Sequence, residues 1–455
     1  MQNLSCSRKR DHALVIGGSM AGLLAARVLS DRYEHVTLID RDTFPAVGEN
    51  RRGVPQGIHT HGLLFSGRCV MDRLFAGLSD ELLAAGAVAR DVLADSRWYF
   101  EGGSLSRCVS GLEGLLLSRP LLEGIIRERV RKIRNLTMIE NCAAESLAVS
   151  DDKLRVIGVR ASKETIPTDL VLDASGRGSH SPAWLEANGY PKPEEERVQI
   201  GMGYTTRVFR RSLEDINGDG AVVIPPTRDG KRGGVMLAQE GLRWTVTLFA
   251  YFGNYAPVEL EGFIEFAKTL PSQDIYDVIR HAVPIGDAHS ARFPASVRHR
   301  YERLDRFPEG FLVFGDAICS FNPVYGQGMS VAALQAAALE QSLATGQLSA
   351  QHFFSRAAKV VDSPWRIAVG ADLRIPETVG PRSKSIDFVN WYLSKLHKAA
   401  HRDPAASVAF LRVANLVASP PSVMHPRTVM RVLKGNLFVS RALAPAARAD
   451  CVSDG

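Results

Sequence analysis

The stretch Ala13-Leu14-Val15-Ile16-Gly17-Gly18-Ser19-Met20-Ala21-Gly22 decides the fold. Four apolar residues in a row predict a strand buried on both faces, as in a parallel sheet covered by helices. Gly17 and Gly22 take the first and third glycine places of the G-x-G-x-x-G dinucleotide fingerprint, and Ser19 takes the second. The first glycine makes the tight turn and the third lets helix and strand pack closely. Gly18 is expected to supply part of the backbone freedom lost at Ser19, and the Ser19 hydroxyl to bond a phosphate. Ala21, Leu24, Ala25, Val28 and Leu29 then share one helical face, and Val36-Thr37-Leu38-Ile39 predicts a second strand ending on Asp40. Asp40 follows Gly22 by 18 residues, near the spacing at which a carboxylate accepts hydrogen bonds from a ribose. Gly17, Gly18, Ser19, Met20, Ala21, Gly22, Asp40 and the adjoining Arg41 are therefore candidate dinucleotide-binding residues, with the helix N-terminus facing the pyrophosphate. These residues alone leave NAD and FAD both open.

A second motif lies far downstream. Phe311-Leu312-Val313-Phe314 reads as another buried strand, and it delivers Gly315-Asp316 at its carboxyl end. Asn322-Pro323-Val324-Tyr325-Gly326-Gln327-Gly328-Met329-Ser330 follows. Pro323, Gly326 and Gly328 shape a loop whose backbone can press against a flat ring. The helix opening near Met329 points its N-terminus back at that loop, where it can stabilise negative charge. Asp316 is placed to bond ribityl hydroxyls. The two motifs read as two halves of one FAD site.

Between and after them the texture changes. Helical patterns cover about 66–86 and 120–132, and β patterns run from 136 to 173. Val198–Phe209, Ala221–Ile224, Gly233–Gln239 and Leu242–Phe252 predict longer strands joined by Gly and Pro turns, hence an antiparallel sheet facing the substrate. Residues 259–282 and 331–343 read as helical, and 385–445 as several helices broken at Pro404, Pro420-Pro421 and Pro426. The expected fold class is α/β. A Rossmann-like FAD-binding domain (1–190 and 291–350) is interleaved with an antiparallel β-sheet substrate domain (191–290), followed by a C-terminal helical cap (351–455).

At 455 residues the chain exceeds one ordinary core, and 45% apolar with 23% charged residues is an ordinary globular balance. The net charge of +6 comes without a long basic run beyond Arg8-Lys9-Arg10, so no nucleic-acid module is expected. The cysteines Cys6, Cys69, Cys108, Cys142, Cys319 and Cys451 have no C-x-x-C spacing, which predicts free thiols and no zinc site. A polar N-terminus and the lack of a long uncharged stretch predict a cytoplasmic protein with no spanning helix.

With these motifs in place, the chain resembles the single-component FAD-dependent monooxygenases of the aromatic hydroxylase and squalene epoxidase superfamily. Arg52-Gly53-Val54-Pro55-Gln56 with His59 and His61, Asp173-Ala174-Ser175-Gly176-Arg177-Gly178-Ser179, and the run from Gly315 to Ser330 look most like bacterial epoxidases, including those acting on polyene precursors of polyether ionophores. The similarity runs in order from about residue 12 to 440 and is weakest in the centre. It implies reduction of FAD, O2 capture as a flavin C4a-hydroperoxide, and oxygen transfer to an apolar substrate by alkene epoxidation or ring hydroxylation. It also implies that Asp40 holds the adenosine ribose, that Asp316 contacts the ribityl–pyrophosphate region, and that the loop from Gly326 to Met329 lies against the pyrimidine edge of the ring. Arg119, opening a helix in Ser118-Arg119-Pro120, matches an arginine reaching the FAD phosphates. Arg52 is expected to bond the cofactor and Gln56 to line the ring.

Two departures bear on the electron source. Many aromatic hydroxylases carry an Asp-Gly pair in the middle motif and an arginine shortly after; here Ser175 takes the Asp place and Pro182 the Arg place. Either NAD(P)H or a partner flavin reductase therefore stands as reductant. Arg52 and His61 are the weak catalytic candidates, His61 as a general acid. His59 and His61 lack a third metal ligand. On the C-terminal helices, Phe388, Trp391, Tyr392 and Leu396 share a face with Lys395 and Lys398 following. Arg427, Arg431, Lys434 and Arg441 accompany Val429, Val432, Leu433, Leu437 and Phe438. These patterns fit a cap over the substrate, or peripheral membrane contact. A flavin reductase of isoprenoid double bonds and a non-enzymatic lipid carrier are the alternatives. A halogenase is disfavoured because no Trp-x-Trp-x-Ile motif is present.

Overall fold

The computed structural model describes residues 10–344 and 348–442, with side chains described as far as residue 437. Cys6, Arg8, Lys9 and Cys451, and the side chains of Phe438 and Arg441, lie outside the described residues. Five parallel strands carry the dinucleotide motif, in the spatial order Phe311–Val313, Leu170–Asp173, Arg10–Ile16, Tyr33–Ile39, Leu136–Ile139. The continuous apolar runs are buried as their composition requires: Ala13, Leu14, Val15, Val171, Leu172 and Val313 are all fully enclosed. The first and last motifs thus sit two strands apart in one sheet, joined by the strand that ends on Asp173.

Helix Met20–Ser30 leaves the first strand and packs against helix Gly328–Ala344, which leaves the last. Helix Gly328–Ala344 also meets helix Phe65–Leu74. A Cβ on Gly67 would lie 2.8 Å from the backbone of Ser330, so only glycine permits that approach.

An eight-stranded sheet forms the second layer, ordered Cys319–Ser320, Pro284–His299, Glu195–Arg210, Arg243–Tyr251, Arg232–Gln239, Ala221–Ile224, Ser96–Phe100, Gly103–Ser104. It is antiparallel except where Ala221–Ile224 runs parallel to Ser96–Phe100. Register separates its faces. Val246, Leu248 and Ala250 bury against Phe263, Phe266 and Ile275 of the two helices Leu260–Lys268 and Asp274–Ile279. Met202, Tyr204, Phe249 and Tyr251 belong instead to the core shared with the parallel sheet. That second face is therefore turned towards the dinucleotide motif.

The strand Pro284–His299 runs across residue 291, so the sheet continues past the boundary expected from sequence. Ser96–Phe100 joins it from the N-terminal segment. After the long helix Ala350–Asp372 come helices Lys384–Ala400, Pro404–Ala414 and Pro426–Ala442. Tyr392, Leu396, Leu411 and Val432 bury against Leu93, Leu105 and Leu112, which seats these helices on the edge of the large sheet. Among the described residues no helix is long and apolar enough to cross a membrane, and Cys69, Cys108, Cys142 and Cys319 are free thiols.

Candidate functional site

The N-terminal turn has the backbone its glycines require. Gly17 adopts φ +99° and a Cβ there would lie 2.7 Å from the Ala174 carbonyl oxygen. A Cβ on Gly22 would lie 1.7 Å from the Gly17 oxygen, which no relaxation accommodates. Gly18 has a different reason to be glycine: a Cβ would lie 2.5 Å from the ring of Phe44. The freedom expected of Gly18 is thus room for an aromatic ring and not an unusual backbone angle.

Asp40 is buried at the end of the second strand. Its Oδ2 accepts from the Gly18 N–H at 2.6 Å and from Arg51 Nη1 at 2.7 Å, and its Oδ1 accepts from the Asp42 N–H at 2.9 Å. A carboxylate offers about four acceptor sites, so roughly one remains for a ribose hydroxyl. Arg51 is the arginine that the loop turns inward. Arg52 and Arg41 are exposed, and Gln56 lies half-buried in the turn Pro55–Ile58.

Ser19 is also engaged by the protein. Its hydroxyl donates to Glu123 Oε2 at 2.9 Å and accepts from Arg119 Nη2 at 2.8 Å. Glu123 is buried on helix Arg119–Arg131 between Arg119 and Arg127, one turn away on either side along one stripe. Arg119 Nε donates to it at 3.3 Å, while Arg51 Nε and Arg127 Nη1 stand 3.7 Å and 3.9 Å away. Arg51 and Arg127 both lie against the Phe44 ring, with guanidinium carbons 5.6 and 5.4 Å from its centroid. Three buried guanidiniums thus face two buried carboxylates at the N-terminus of helix Met20–Ser30. One positive charge is left over, and the Nε atoms of Arg51 and Arg127 have no hydrogen-bond partner.

The downstream motif meets this cluster. Gly315 (φ +69°) lies against Ala21, with a Cβ there only 2.7 Å from the Ala21 Cβ, and its N–H donates to the buried Gln335 Oε1 at 2.9 Å. Burial raises the Asp316 carboxyl, and the fields of Arg119 and Arg177 pull it back down, so all three side chains share one neighbourhood. The middle motif closes the gap. Asp173, fully buried, accepts from the Ser175 N–H at 2.9 Å, from Ser179 Oγ at 2.6 Å and from Ser181 Oγ, and so shapes the turn bearing Gly176 and Gly178. That turn contacts Gly315–Ala317.

Beyond Asp316 the loop presents an open backbone face. Pro323, Gly326 and Gly328 are exposed, Gly326 adopts φ +65°, and a Cβ on Gly326, Gly328, Gly176 or Gly178 would meet nothing within 4 Å. Met20 and Met329 are buried in the core.

His59 and His61 lie where the loop meets the large sheet. His59 Nδ1 bonds Thr206 Oγ1 at 2.8 Å and its ring meets Tyr204 edge-on at 4.5 Å. Thr206, Thr247 and Thr60 continue the chain of hydroxyls. Burial lowers His59 to about 4, with His289 adding to the effect. His61 bonds the His59 carbonyl at 2.8 Å, and burial with the Arg119 charge lowers it to about 3. In this environment the His61 imidazole is held in its neutral form, hydrogen-bonded within the loop. Among the described residues no group of His, Cys, Asp and Glu is arranged to hold a metal.

Sequence reasoning did not single out Glu123 and Arg127 of this cluster, and it assigned no role to Arg51, which it placed among the residues crowding the 51–61 loop. The i, i+4, i+8 order of Arg119, Glu123 and Arg127 on a helix is the signal that could have found them. A separate cleft of about 710 Å³, lined by Arg10, Tyr33, Arg155, Asp169 and Glu309, lies at the amino ends of the parallel strands. Open α/β sheets bind ligands beyond the carboxyl ends, where the glycine turns are.

No protein-family model matches the sequence. Protein Rv3254 of Mycobacterium tuberculosis (strain H37Rv) is 33% identical over 450 residues, which cover 94% of each chain. Among solved structures, the flavin-dependent brominase Bmp2 superposes with a TM-score of 0.64 at 12% identity, over 95% of this chain and 100% of its own. PqsL of Pseudomonas aeruginosa, described as a probable FAD-dependent monooxygenase, superposes with a TM-score of 0.60 at 15% identity, over 87% and 99%. 2-Methyl-3-hydroxypyridine-5-carboxylic acid oxygenase gives 0.58 at 19% identity, over 79% and 90%. The fold is the one these proteins share.

Proposed function

We propose a function for a chain that belongs, over 94% of its length, to the family of protein Rv3254: it is an FAD-dependent monooxygenase that places one oxygen atom from O2 on an apolar small molecule. The buried charge surplus beside the Gly17–Gly22 turn carries this reading. Burying an uncompensated guanidinium costs several kcal/mol, of order 3–5 when one partner of a buried pair is missing. A diphosphate set on a helix N-terminus would supply that missing charge and partners for the free Nε atoms.

The donor set fits FAD along its length. Gly17 to Gly22, Arg51 and Arg119 would hold the pyrophosphate, Asp40 the adenosine ribose, and Asp316 the ribityl chain. The open backbone of Pro323, Gly326 and Gly328 would lie under the ring. When bound, the flavin supplies the redox chemistry that activates O2, with electrons from NAD(P)H or a partner reductase. Ser175 and Pro182, standing where many relatives in the wider superfamily carry Asp and Arg, favour the partner reductase. The large sheet offers Tyr204 and Phe249 as apolar wall and His59, Thr206 and Thr247 as a neutral polar line. These residues would position the substrate and exclude water, which suits epoxidation of an alkene or hydroxylation of a ring.

The flavin domain takes the parallel strands from both ends of the chain, and the substrate domain takes the large sheet through His299. The C-terminal helices form the cap. Their exposed Phe388, Trp391, Met430 and Leu433, set among Lys384, Arg427 and Lys434, suit peripheral contact of a cytoplasmic enzyme with an anionic membrane.

Purified protein is expected to be yellow, and with reductant and an apolar acceptor to consume O2 and yield a product heavier by one oxygen atom. Colourless protein that added FAD does not stabilise would overturn the reading. A product heavier by two hydrogen atoms would identify a double-bond reductase instead.

A further inference from the structure

Behind the open loop lies a buried carboxyl group that no step above uses. Asp372 ends helix Ala350–Asp372 and is 1% exposed. Its Oδ1 accepts from Asn322 Nδ2 at 2.8 Å, from Tyr325 Oη at 2.9 Å and from Tyr251 Oη at 3.2 Å. Its Oδ2 is buried with no partner. Asn322 also donates to Tyr251 Oη at 2.7 Å, and its Oδ1 accepts from the Val324 N–H at 3.1 Å. Asn322 precedes the turn Pro323–Tyr325 and Tyr325 closes it, just before Gly326.

One oxygen therefore fixes both ends of the segment whose backbone face is open. We propose that Asp372 is a positioning residue for that segment: its carboxylate, acting through Asn322 and Tyr325, holds the Pro323–Gly326 backbone in the shape that receives the flavin ring, and protonation of Asp372 releases it. The inference rests on the FAD reading above.

Three donors converging on one oxygen suit an ionised acceptor, because each gains by facing a full negative charge. Protonation weakens all three bonds at once and requires an acceptor at Oδ2, where none exists. Burial raises Asp372 to about 7, against the opposing pull of the Asn322, Tyr325 and Tyr251 donors. The groups facing it from each packed element are accounted for. Tyr251 on the sheet and Tyr325 on the turn are both held well above their ordinary range and stay neutral. Arg374 acts on Tyr325, and Arg382 is bound to the carbonyls of Leu373, Ile375, Pro376 and Thr378. The clamp therefore changes state within the physiological range through one group.

The test uses the full chain with FAD titrated at fixed pH values from 5.5 to 8.5. With the midpoint at about 7, roughly a tenth of the protein is in the holding state one pH unit lower. FAD binding is then roughly tenfold weaker at pH 6 than at pH 8. In D372N this difference is expected to vanish. In Y325F, which removes one donor from the ionised form, the midpoint is expected to move upward. The near-ultraviolet tyrosine difference spectrum of the protein without FAD, titrated in parallel, should show the same midpoint and lose it in D372N. Should D372N fail to fold, the Y325F shift decides alone. FAD affinity that is flat with pH, or that keeps its pH dependence in D372N and an unmoved midpoint in Y325F, overturns the inference and leaves the cofactor reading standing. Absence of FAD binding at every pH overturns the cofactor reading, and the inference with it.

Discussion

Glu123→Gln tests the charge arrangement on which the cofactor reading depends. Glu123 is 4% exposed and lies within 4 Å of the guanidiniums of Arg51, Arg119 and Arg127 while also accepting from Ser19. With Asp40 the cluster holds two negative and three positive charges. The amide keeps the shape and one acceptor but leaves three positive charges facing Asp40 alone. Removing one partner of a buried ion pair costs about 3–5 kcal/mol, and the retained acceptor places this case near the lower end. At roughly 1–2 °C per kcal/mol for a chain of 455 residues, the ligand-free Tm should fall by roughly 3–6 °C. A bound diphosphate restores charge balance, so excess FAD should raise the Tm of E123Q by more than it raises that of the wild type. Differential scanning fluorimetry with and without FAD measures both. An unchanged ligand-free Tm would refute the burial of the network. An FAD-induced rise no larger than in the wild type would refute the claim that the surplus charge awaits an anion.

Three further outcomes follow from the same geometry. Arg119→Met removes the guanidinium bonded to Ser19 and Glu123 and should weaken FAD binding roughly 10–100-fold, the range for a lost charge-assisted hydrogen bond; equal affinity by fluorescence titration would exclude Arg119 from the phosphate site. Gly22→Ala forces a Cβ to 1.7 Å from the Gly17 oxygen, so soluble yield and FAD binding should both be lost, and a normally behaved variant would disprove the turn. Acid should destabilise the fold through His59, His61 and His397, which burial lowers to about 4, 3 and 3 from 6.5. Below pH 6.5 the unfolded chain takes up protons that the fold refuses, so stability present above that pH is lost as pH falls towards 4. Each such group contributes up to about 1.4 kcal/mol per pH unit, and Asp372, raised from 3.8 to about 7, offsets one of them. The net loss is about 2–3 kcal/mol per unit between pH 6 and 4.5. His397, stacked on Phe100 with both ring nitrogens unpartnered, is the clean control: H397F should flatten the urea-measured slope by about 1.4 kcal/mol per unit, and an unaltered slope would count against its burial.

The parallel sheet was legible because its strands are buried on both faces and announce themselves as unbroken apolar runs. Ala13–Ile16, Leu170–Leu172 and Phe311–Val313 all read as strands and are strands. Most of the large sheet was legible too, since Val198–Phe209 and Leu242–Phe252 are long and bounded by turns. Strand Pro284–His299 was not. Its first nine residues are largely exposed, so no burial constraint imposes a polarity pattern that could be read. Ser96–Phe100 is an edge-side strand of mixed faces, paired in parallel with residues more than 100 positions away. Helix Ala350–Asp372 carries Pro364 and Gly370 inside it, both locally unfavourable to a helix, yet packing of Phe353, Phe354, Val361 and Trp365 sustains it.

The site divided along a similar line. Residues whose role is a backbone angle could be found in sequence: Gly17, Gly315 and Gly326 take positive φ and Gly22 has no room for a side chain. Residues whose role is a charge could not be apportioned, because the partner of each charge is set by convergence in space. Sequence spacing gave Ser19 to a phosphate and Asp40 to a ribose, but the protein itself occupies the Ser19 hydroxyl and most of the Asp40 carboxylate. What it leaves unsatisfied is cationic: two Nε atoms and one unit of positive charge at a helix N-terminus. A ligand-free chain keeps such an arrangement only at a cost to its stability, and functional sites are where that cost is tolerated. An anion of the right length lifts the cost at one end. The Gly326–Gly328 backbone, open and held from behind by Asn322 and Tyr325, can receive a ring at the other. Neither end alone distinguishes FAD from a simpler phosphate ligand; the contact of Ala21 with Gly315 brings the two motifs side by side, as a single FAD site would require.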